Sequence, residues 1–334
     1  MGARKLTLAA VFILSAAALS SGARAQGPVR AELPIRDAPL SDGERRYTVS
    51  ITVGGAPIEA GLDSGSTGLR ILPGVVPAAA EQPGRRATYS YDSGTEFAGT
   101  IVEADMAFGA VTGRAKFQQI DKVGCRAGFG TCPAAKVKPA EFGIQGSGLP
   151  GEGFKAILGI NMASDEAPNP LMALGVKRWI IELPLPGEGK PGRLVLNPTD
   201  AEVADYKLFP ISAEFSDRRG GLHDAIEGCL VNQQTKRSYC GPTDLDTGAP
   251  GVQVATPGAA DAWRPQTPVT MAFYDKGKAV LAADFTVGQT PGSRMSVRPE
   301  PRAPGARIYL GILPYFAYSV LYDPAAKAVG LKAR

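Results

Sequence analysis

The sequence predicts a mostly-β protein organised as two lobes. Gly and Pro supply 41 and 28 of the 334 residues, without a collagen-like period, which favours many short strands and turns over a helical bundle. Short runs in which apolar and polar residues alternate recur along the chain, as expected of half-buried strands. The third observation is a repeat. A tripeptide of an acid, a hydroxyl residue and Gly begins at Asp63 and again at Asp246, one copy in each half.

The first 25 residues are typical of a secretory signal peptide. Arg4 and Lys5 precede an apolar run over 6–19, and Ala-Arg-Ala at 23–25 matches the small-residue cleavage pattern. A retained membrane anchor is the alternative, but the run is shorter than a bilayer-spanning helix requires. We therefore expect an exported protein, periplasmic or extracellular, that does not stay in the membrane after cleavage and that starts with a linker over 26–45.

Strand signals begin after that linker. Positions 47–53 alternate apolar and polar residues, Gly54-Gly55 is a two-residue hairpin signal, and positions 58–62 alternate again up to Asp63. Helical signals are few, with a short helix at 170–175 and a turn at 314–317. Further strands are predicted at 100–108, 179–183, 193–196, 267–273, 318–322 and 328–331.

A Pro/Gly-rich stretch at 184–192 suggests the boundary between the lobes. This gives an N-terminal lobe over 46–188 and a C-terminal lobe over 189–334, a division in keeping with the length of the chain.

Charge and residue counts exclude several classes of function. The chain has 36 basic and 32 acidic residues, and positions 1–25 hold three of the basic ones and no acid, which leaves 33 against 32. A nearly neutral protein gives no reason to expect nucleic-acid binding. The single histidine, His223, rules out a multi-histidine metal site, and we read it as a surface loop residue. We expect no cofactor and a monomeric state.

The four cysteines form two close pairs in the sequence. In an oxidising compartment the natural pairing is Cys125 with Cys132 and Cys229 with Cys240. Each short loop closed in this way would stabilise the fold by about 2.5–3 kcal/mol on the chain-entropy estimate. A zinc site is the competing interpretation, but the cysteines within each pair are spaced too far apart for zinc ligands, and a single histidine could add only one further ligand.

Each aspartate turn has a partner later in its half of the chain. An apolar-apolar-Gly segment stands at 157–159 after the first turn and at 309–311 after the second. A glycine at that place would let a strand pass closely behind the turn. One Asp-Ser-Gly is ordinary turn chemistry, but two copies 183 residues apart, each with such a partner, indicate a repeated structural unit.

In this pattern the chain resembles the pepsin-like aspartic proteases, as a distant and bacterial member. The resemblance extends over nearly the whole chain after position 25 and follows the family's order of motifs. Besides the aspartate turns, the matching segments are the flap-like 91–94, the F-x-x-I-L-G segment at 154–160, the joining stretch at 179–196 and 206–211, and the C-terminal signature at 310–311, 316, 318–323 and 329–331.

The resemblance implies two β-barrel lobes related by a pseudo-twofold axis, with an active-site cleft between them and a polypeptide substrate. It implies Asp63 and Asp246 as the catalytic pair, with no metal. Support for the pair is implied for Ser64, Gly65, Ser66, Thr247 and Gly248. The substrate-binding flap is implied to carry Tyr91, Ser93 and Gly94, with Tyr89 a weaker candidate.

Three positions depart from the family pattern. Arg70 stands where a tryptophan usually supports the flap tyrosine, Ala249 replaces a hydroxyl residue beside the second aspartate, and Pro250 is unusual in that turn. Losing a hydrogen bond to a carboxylate raises its pKa, so we expect a pH optimum less acid than that of pepsin, above about pH 3. The neighbouring Asp244 is interpreted as a solvated turn acid that could perturb Asp246.

These departures keep two other functions open. A pepsin-fold protein that has lost proteolysis and instead binds a ligand or inhibits an enzyme is the main alternative, because fold does not fix function. A glycosidase that uses two carboxylates is the other, with Trp179 and Trp263 as the only tryptophans able to contact a sugar.

Overall fold

The computed structural model describes residues 28–76, 84–212, 224–258 and 263–334, and these are mostly β. The predicted signal peptide and His223 lie outside the described residues. The first ten strands are β1 (Ala31–Pro39), β2 (Arg45–Val53), β3 (Ala56–Asp63), β4 (Thr67–Ile71), β5 (Arg86–Ser90), β6 (Thr95–Phe108), β7 (Val111–Cys125), β8 (Ala156–Ile160), β9 (Trp179–Glu182) and β10 (Gly192–Leu196).

The second half adds ten strands, and short helices stand between some of the elements. The strands are β11 (Lys207–Pro210), β12 (Ile226–Asn232), β13 (Ser238–Asp244), β14 (Val252–Thr256), β15 (Pro268–Asp275), β16 (Lys278–Thr286), β17 (Met295–Pro299), β18 (Arg307–Tyr309), β19 (Tyr318–Asp323) and β20 (Ala328–Ala333). The helices are α1 (Pro170–Ala173), α2 (Asp200–Val203) and α3 (Pro314–Ala317), with 3-10 turns at Pro133–Ala135 and Pro139–Glu141.

The strands form two sheets. Thirteen strands follow the order β11-β20-β19-β9-β10-β1-β2-β3-β8-β4-β7-β6-β5, and seven follow the order β16-β15-β12-β13-β18-β14-β17. Strands β19 and β20 therefore lie in the larger sheet, with β19 beside β9, although they come from the C-terminal end of the sequence. Buried apolar side chains of both sheets belong to one continuous core.

The same four-strand unit occurs in both sheets. Strand β8 runs parallel to β3 and antiparallel to β4, and β18 runs parallel to β13 and antiparallel to β14. Each unit is completed by a further parallel neighbour, β7 beside β4 and β17 beside β14. The central strand thus passes between the two strands that flank an aspartate turn, as the repeated sequence pattern predicts.

Two glycines make these crossings possible. A Cβ atom added to Gly159 would lie 2.8 Å from the carbonyl oxygens of Ser66 and Gly68. One added to Gly311 would lie 2.6 Å from the carbonyl oxygen of Ala249, and Gly311 also has a positive φ of 59°. Larger residues at either place would push the strand away from its aspartate turn.

Each predicted strand is present, within a residue or a few at its ends. The hairpin at Gly54-Gly55 joins β2 to β3, and both glycines have positive φ, as a two-residue turn requires. The Pro/Gly-rich stretch after β9 connects it to β10, its antiparallel neighbour, as a hairpin loop.

One strand occurs within the segment predicted as a linker. Strand β1 pairs with both β10 and β2, so residues 31–39 are an integral part of the larger sheet. Ala31, Leu33 and Ile35 are buried, and they alternate with exposed residues. The period of two was present in the sequence, but Pro34 interrupts it, and only pairing with β10 identifies the segment as a strand.

Both predicted disulfides are formed. Cys125 and Cys132 have Cα atoms 5.6 Å apart, and Cys229 and Cys240 face each other across β12 and β13 with Cα atoms 4.0 Å apart. The described residues contain no free cysteine, so the zinc interpretation of these pairs does not hold.

Candidate active site

The two aspartate turns meet between the sheets. The backbone N–H of Gly65 donates to Oδ1 of Asp63 at 3.0 Å and lies 3.2 Å from Oδ1 of Asp246. Gly248 donates to Asp246 Oδ1 at 2.7 Å. One N–H therefore reaches both carboxyls, and the acids form a close pair.

Neither glycine of the turns could carry a side chain. A Cβ atom on Gly65 would collide with the carboxyl of Asp246, and one on Gly248 would lie 2.5 Å from Oδ1 of Asp63. Each glycine thus leaves room for the aspartate contributed by the other turn.

Beneath the pair, the hydroxyl residues of the turns exchange hydrogen bonds. Ser64 N–H donates to Oγ1 of Thr247 at 3.0 Å, and Thr247 N–H donates to Oγ of Ser64 at 2.9 Å. Thr247 Oγ1 donates to the carbonyl of Leu62 at 3.0 Å, and Ser64 Oγ donates to that of Leu245 at 2.8 Å. Both side chains are fully buried, so this double exchange fixes the two turns to each other.

Two tyrosines that were not predicted as site residues extend this network. The hydroxyl of Tyr315 lies 2.9 Å from Ser64 Oγ, and it donates to the carbonyl of Leu245 at 2.9 Å. Tyr322 lies 2.7 Å from Tyr315 and donates to the same carbonyl at 3.1 Å. Their segments belong to the C-terminal signature, but nothing in that pattern indicates a contact with a turn some 250 residues earlier.

The two aspartates have different surroundings. Ser66 donates its hydroxyl to Asp63 Oδ2 at 2.6 Å, whereas the corresponding position after Asp246 is Ala249, which has no hydroxyl. Burial, followed by the negative charge of Asp63, raises the pKa of Asp246 well above its ordinary value. These surroundings favour the protonated form of Asp246, and the Ser66 hydroxyl donates to Asp63 rather than to Asp246.

Asp244 is not the solvated turn acid that the sequence suggested. It is the last residue of β13, only 3% of it is exposed, and it faces Tyr309 of β18 in the sheet register. Burial, followed by the charge of Asp63, raises the pKa of Asp244 to about 7. The burial was missed because it depends on a strand that lies more than sixty residues further along the chain.

A hairpin of β5 and β6 lies beside the pair, at the position predicted for the flap. Its turn is closed by Gly94 N–H, which donates to the carbonyl of Tyr91 at 2.9 Å, and Gly94 has a φ of 82°. Ser93 Oγ accepts from the N–H of Thr95 at 3.4 Å, and Asp92 is exposed at the tip. The ring of Tyr91 makes edge contacts with Tyr89 and Phe97.

Arg70 takes part in holding the flap. It is 1% exposed, and its guanidinium carbon lies 3.4 Å from the centre of the Tyr89 ring. The same group donates to the carbonyl of Thr67 at 2.6 Å and to Asp165 at 3.1 Å. An arginine thus supports Tyr89, which in turn contacts Tyr91, at the place where the resemblance leads one to expect a tryptophan.

A cleft of about 720 Å³ opens over the aspartates. It is lined by the aspartate pair and Asp244, by the flap, and by the strands of the smaller sheet that end near Pro299 and Tyr309. Its volume lies in the range of small-molecule and peptide sites.

Neither tryptophan is placed to contact a ligand in the cleft. Trp179 is fully buried and stacks on Tyr322, and Trp263 is 6% exposed.

Over the described ranges, no group of three or more His, Cys, Asp or Glu side chains could hold a metal ion. The same ranges contain no helix long and apolar enough to cross a membrane.

Comparison with known proteins identifies the fold. No family model matches the chain, and no curated protein matches its sequence. The structure is similar to an aspartic proteinase from Irpex lacteus, with a TM-score of 0.61 over 91% of this chain and 97% of that one, at 13% sequence identity. The chain thus has the mostly-β, two-lobed fold of the pepsin-like aspartic proteinases.

Proposed function

We propose that this protein is an exported aspartic endopeptidase that hydrolyses peptide bonds with Asp63 and Asp246. The observation that carries the proposal is the single N–H of Gly65 within hydrogen-bonding reach of both carboxyls, at 3.0 and 3.2 Å. Two acids this close cannot both ionise cheaply, so the pair keeps one proton and can act as acid and base in the same reaction.

In the proposed reaction, a water molecule binds between the carboxyls. The ionised Asp63 takes a proton from that water, and the oxygen attacks the peptide carbonyl. Asp246 gives its proton to the carbonyl oxygen, so the intermediate is a neutral diol. The diol then collapses: one hydroxyl returns a proton to Asp246, the amide nitrogen takes the proton held by Asp63, and the C–N bond breaks.

The cleft and the flap support a polypeptide as the substrate. A chain lying across the aspartates would run between the flap turn at 91–94 and the floor formed by β13 and β18. The two disulfides fit an exported protein, periplasmic or extracellular. The buried positions of Trp179 and Trp263 weigh against a glycosidase that would hold its sugar on a tryptophan.

Replacing either acid tests the proposal. We expect the purified protein to cleave members of a peptide library between about pH 3 and 7, a range that brackets shifted carboxyl pKa values. Asp63→Asn and Asp246→Asn should each lower kcat/KM by about a thousand-fold or more, because the two acids work as one unit. Cleavage is measured by mass spectrometry and melting by circular dichroism.

A matched control is Asp205→Asn, since that side chain is 78% exposed and distant in sequence from both turns. It should cut as the unaltered protein does. If the folded protein cuts nothing and binds no pepstatin-type inhibitor, the protease proposal is wrong. Saturable binding of peptides without cleavage would instead support the ligand-binding or inhibitor alternative.

A further inference from the structure

We propose that Asp244 forms the floor of a subsite that binds a positively charged side chain of the substrate next to the bond that is cut. This inference rests on the proposed endopeptidase function and names the class of peptide that the cleft accepts. The residue stands two positions before Asp246, at the end of β13, and lines the cleft.

The Asp244 carboxyl is buried without full satisfaction of its hydrogen bonds. Its Oδ1 atom is inaccessible to solvent and has no hydrogen-bond partner among the described residues. A buried polar atom without a partner costs free energy, and native structures retain few of them. Since this atom belongs to a residue that lines the cleft, a group supplied by the ligand can satisfy it.

The charges that act on Asp244 are all negative. Asp63 and the flap residue Asp92 both disfavour ionisation of the carboxyl, as does its burial. The buried Asp224, which lies earlier in the chain, interacts with it unfavourably as well. Within the described part of the chain, no basic side chain is among the groups that act on this carboxyl.

Three arginines line the same cleft, and one of them, Arg307, acts on both Asp92 and Tyr309. Arg307 forms an ion pair with Glu300, and Arg126 lies over the ring of Phe129 with its guanidinium carbon 4.3 Å from the ring centre. Arg298 is exposed, and its charge acts on Tyr309. None of the three is among the groups that act on Asp244, so this carboxyl has no basic neighbour among the described residues.

The geometry sets where a substrate cation would lie. Asp92 is at the flap tip and Asp244 is on the floor beside Tyr309, and the cleft leaves a gap between the two acids. A peptide held under the flap would place one side chain in this gap, adjacent to Asp246. A lysine or arginine side chain in this gap would lie near two acids, Asp92 and Asp244, and would donate a hydrogen bond to Asp244 Oδ1. An acidic side chain in the same gap would be repelled by these acids.

The test uses three peptides that differ only in one residue, scanned through the positions on both sides of the cut. The residue is lysine, its uncharged analogue norleucine, or glutamate. At one position we expect kcat/KM for lysine to exceed that for norleucine by about ten-fold or more, with glutamate lowest, as close charge pairs typically give.

The comparison is made at about pH 7, where the Asp244 carboxyl begins to ionise, and the Asp244→Asn variant keeps the shape of the side chain but cannot carry a charge. In it, the ratio of kcat/KM for lysine over norleucine should fall to within about two-fold of one, since only the charge-pair energy is lost. The Asp205→Asn protein serves as the matched control and should keep the ratio of the unaltered enzyme.

A binding measurement separates the two proposals. Calorimetry with Asp63→Asn, which should not turn over substrate, should give tighter binding of the lysine peptide than of the norleucine peptide even if cleavage is never seen. If the enzyme cuts the norleucine peptide, shows no position that prefers lysine, and binds both peptides equally, the subsite inference is overturned and the endopeptidase proposal stands.

Discussion

At the scale of single residues, Arg70 is a buried charged side chain whose contacts hold neighbouring segments in place. Its guanidinium satisfies two backbone carbonyls, pairs with Asp165 and lies over the ring of Tyr89. The planar, forked geometry of arginine is required for all of these contacts at once. Since Tyr89 contacts the flap residue Tyr91, the position of the flap depends on this one side chain.

We expect Arg70→Leu to destabilise the protein by about 3 kcal/mol or more, because it breaks a buried ion pair and its hydrogen bonds. Its KM should rise as the flap loses support. Arg70→Lys should recover little of either, since an ammonium group cannot make the forked contacts. Chemical denaturation and steady-state kinetics measure the two effects.

Arg86→Leu is the matched control for that variant. Arg86 lies in the same hairpin, pairs with Asp121 and has a side chain that is 63% exposed. Exposed pairs contribute about 1 kcal/mol or less, so this variant should remain close to the unaltered protein. Equal effects of the two substitutions would show that Arg70 has no special part in holding the flap.

At the scale of elements, the flap is attached to the first disulfide loop. The ring of Phe129, within the loop that Cys125 and Cys132 close, packs directly on Gly94 at the flap turn. The N–H of Arg126 donates to the carbonyl of Gly94 at 2.8 Å. The disulfide therefore restrains a loop that itself restrains the tip of the flap.

Replacing both Cys125 and Cys132 with serine should increase amide hydrogen exchange across 91–95 and raise KM. Each disulfide stabilises the fold by about 2.5–3 kcal/mol on the loop-entropy estimate, so both pairs should matter similarly for unfolding. The flap effect should be absent when Cys229 and Cys240 are replaced, because that pair joins β12 to β13 in the other sheet. Identical exchange across 91–95 in both double variants would contradict the attachment.

The elements that the sequence could predict are those with local signals. The β2–β3 hairpin, the aspartate turns and the Gly-bearing central strands each carry their pattern within a few residues. What it could not predict depends on distant partners: β1 is a strand because β10 pairs with it, and Asp244 is buried because β18 covers it. For the same reason, the resemblance to the pepsin-like proteases predicts that the two aspartates meet, but no sequence pattern predicts that the hydroxyls of Tyr315 and Tyr322 lie beneath them.

At the scale of the whole molecule, buried acids set how stability changes with pH. Burial raises the pKa of Asp224, Asp244 and Asp246 above their value in an unfolded chain. A carboxyl with a raised pKa contributes stability that is complete below the unfolded pKa of 3.8 and is lost as pH rises through the folded value, about 7 for Asp244. Stability should therefore decline between about pH 4 and pH 7.

Acids with lowered pKa values act in the opposite direction, but in a different range. Glu152 and Glu202 have pKa values of about 2, because each accepts hydrogen bonds from nearby side chains. Their contribution is present above the unfolded pKa of 4.5 and is lost only as pH falls towards 2. Both are partly exposed, so solvent weakens the effect. The two opposing trends place the maximum of stability in the weakly acid range.

We expect the melting temperature to be a few degrees higher at about pH 4.5 than at pH 7.5, the scale of a change of about 1–2 kcal/mol. Asp244→Asn should reduce this difference, because asparagine does not titrate. Differential scanning calorimetry measures it, with Asp205→Asn as the exposed control. A melting temperature that rises from pH 4.5 to 7.5 would show that these carboxyls are not held in protonated form.

The contacts of Ser64 also govern when the site can form during synthesis. Its partners are Thr247, Tyr315 and the tyrosine-bound carbonyl of Leu245, and the most distant of them is made 251 residues later. A chain still emerging from the ribosome has the first aspartate but neither the second nor the hydroxyl groups that fix both. The hydrogen-bond network beneath the pair is therefore complete only after translation has passed Tyr322.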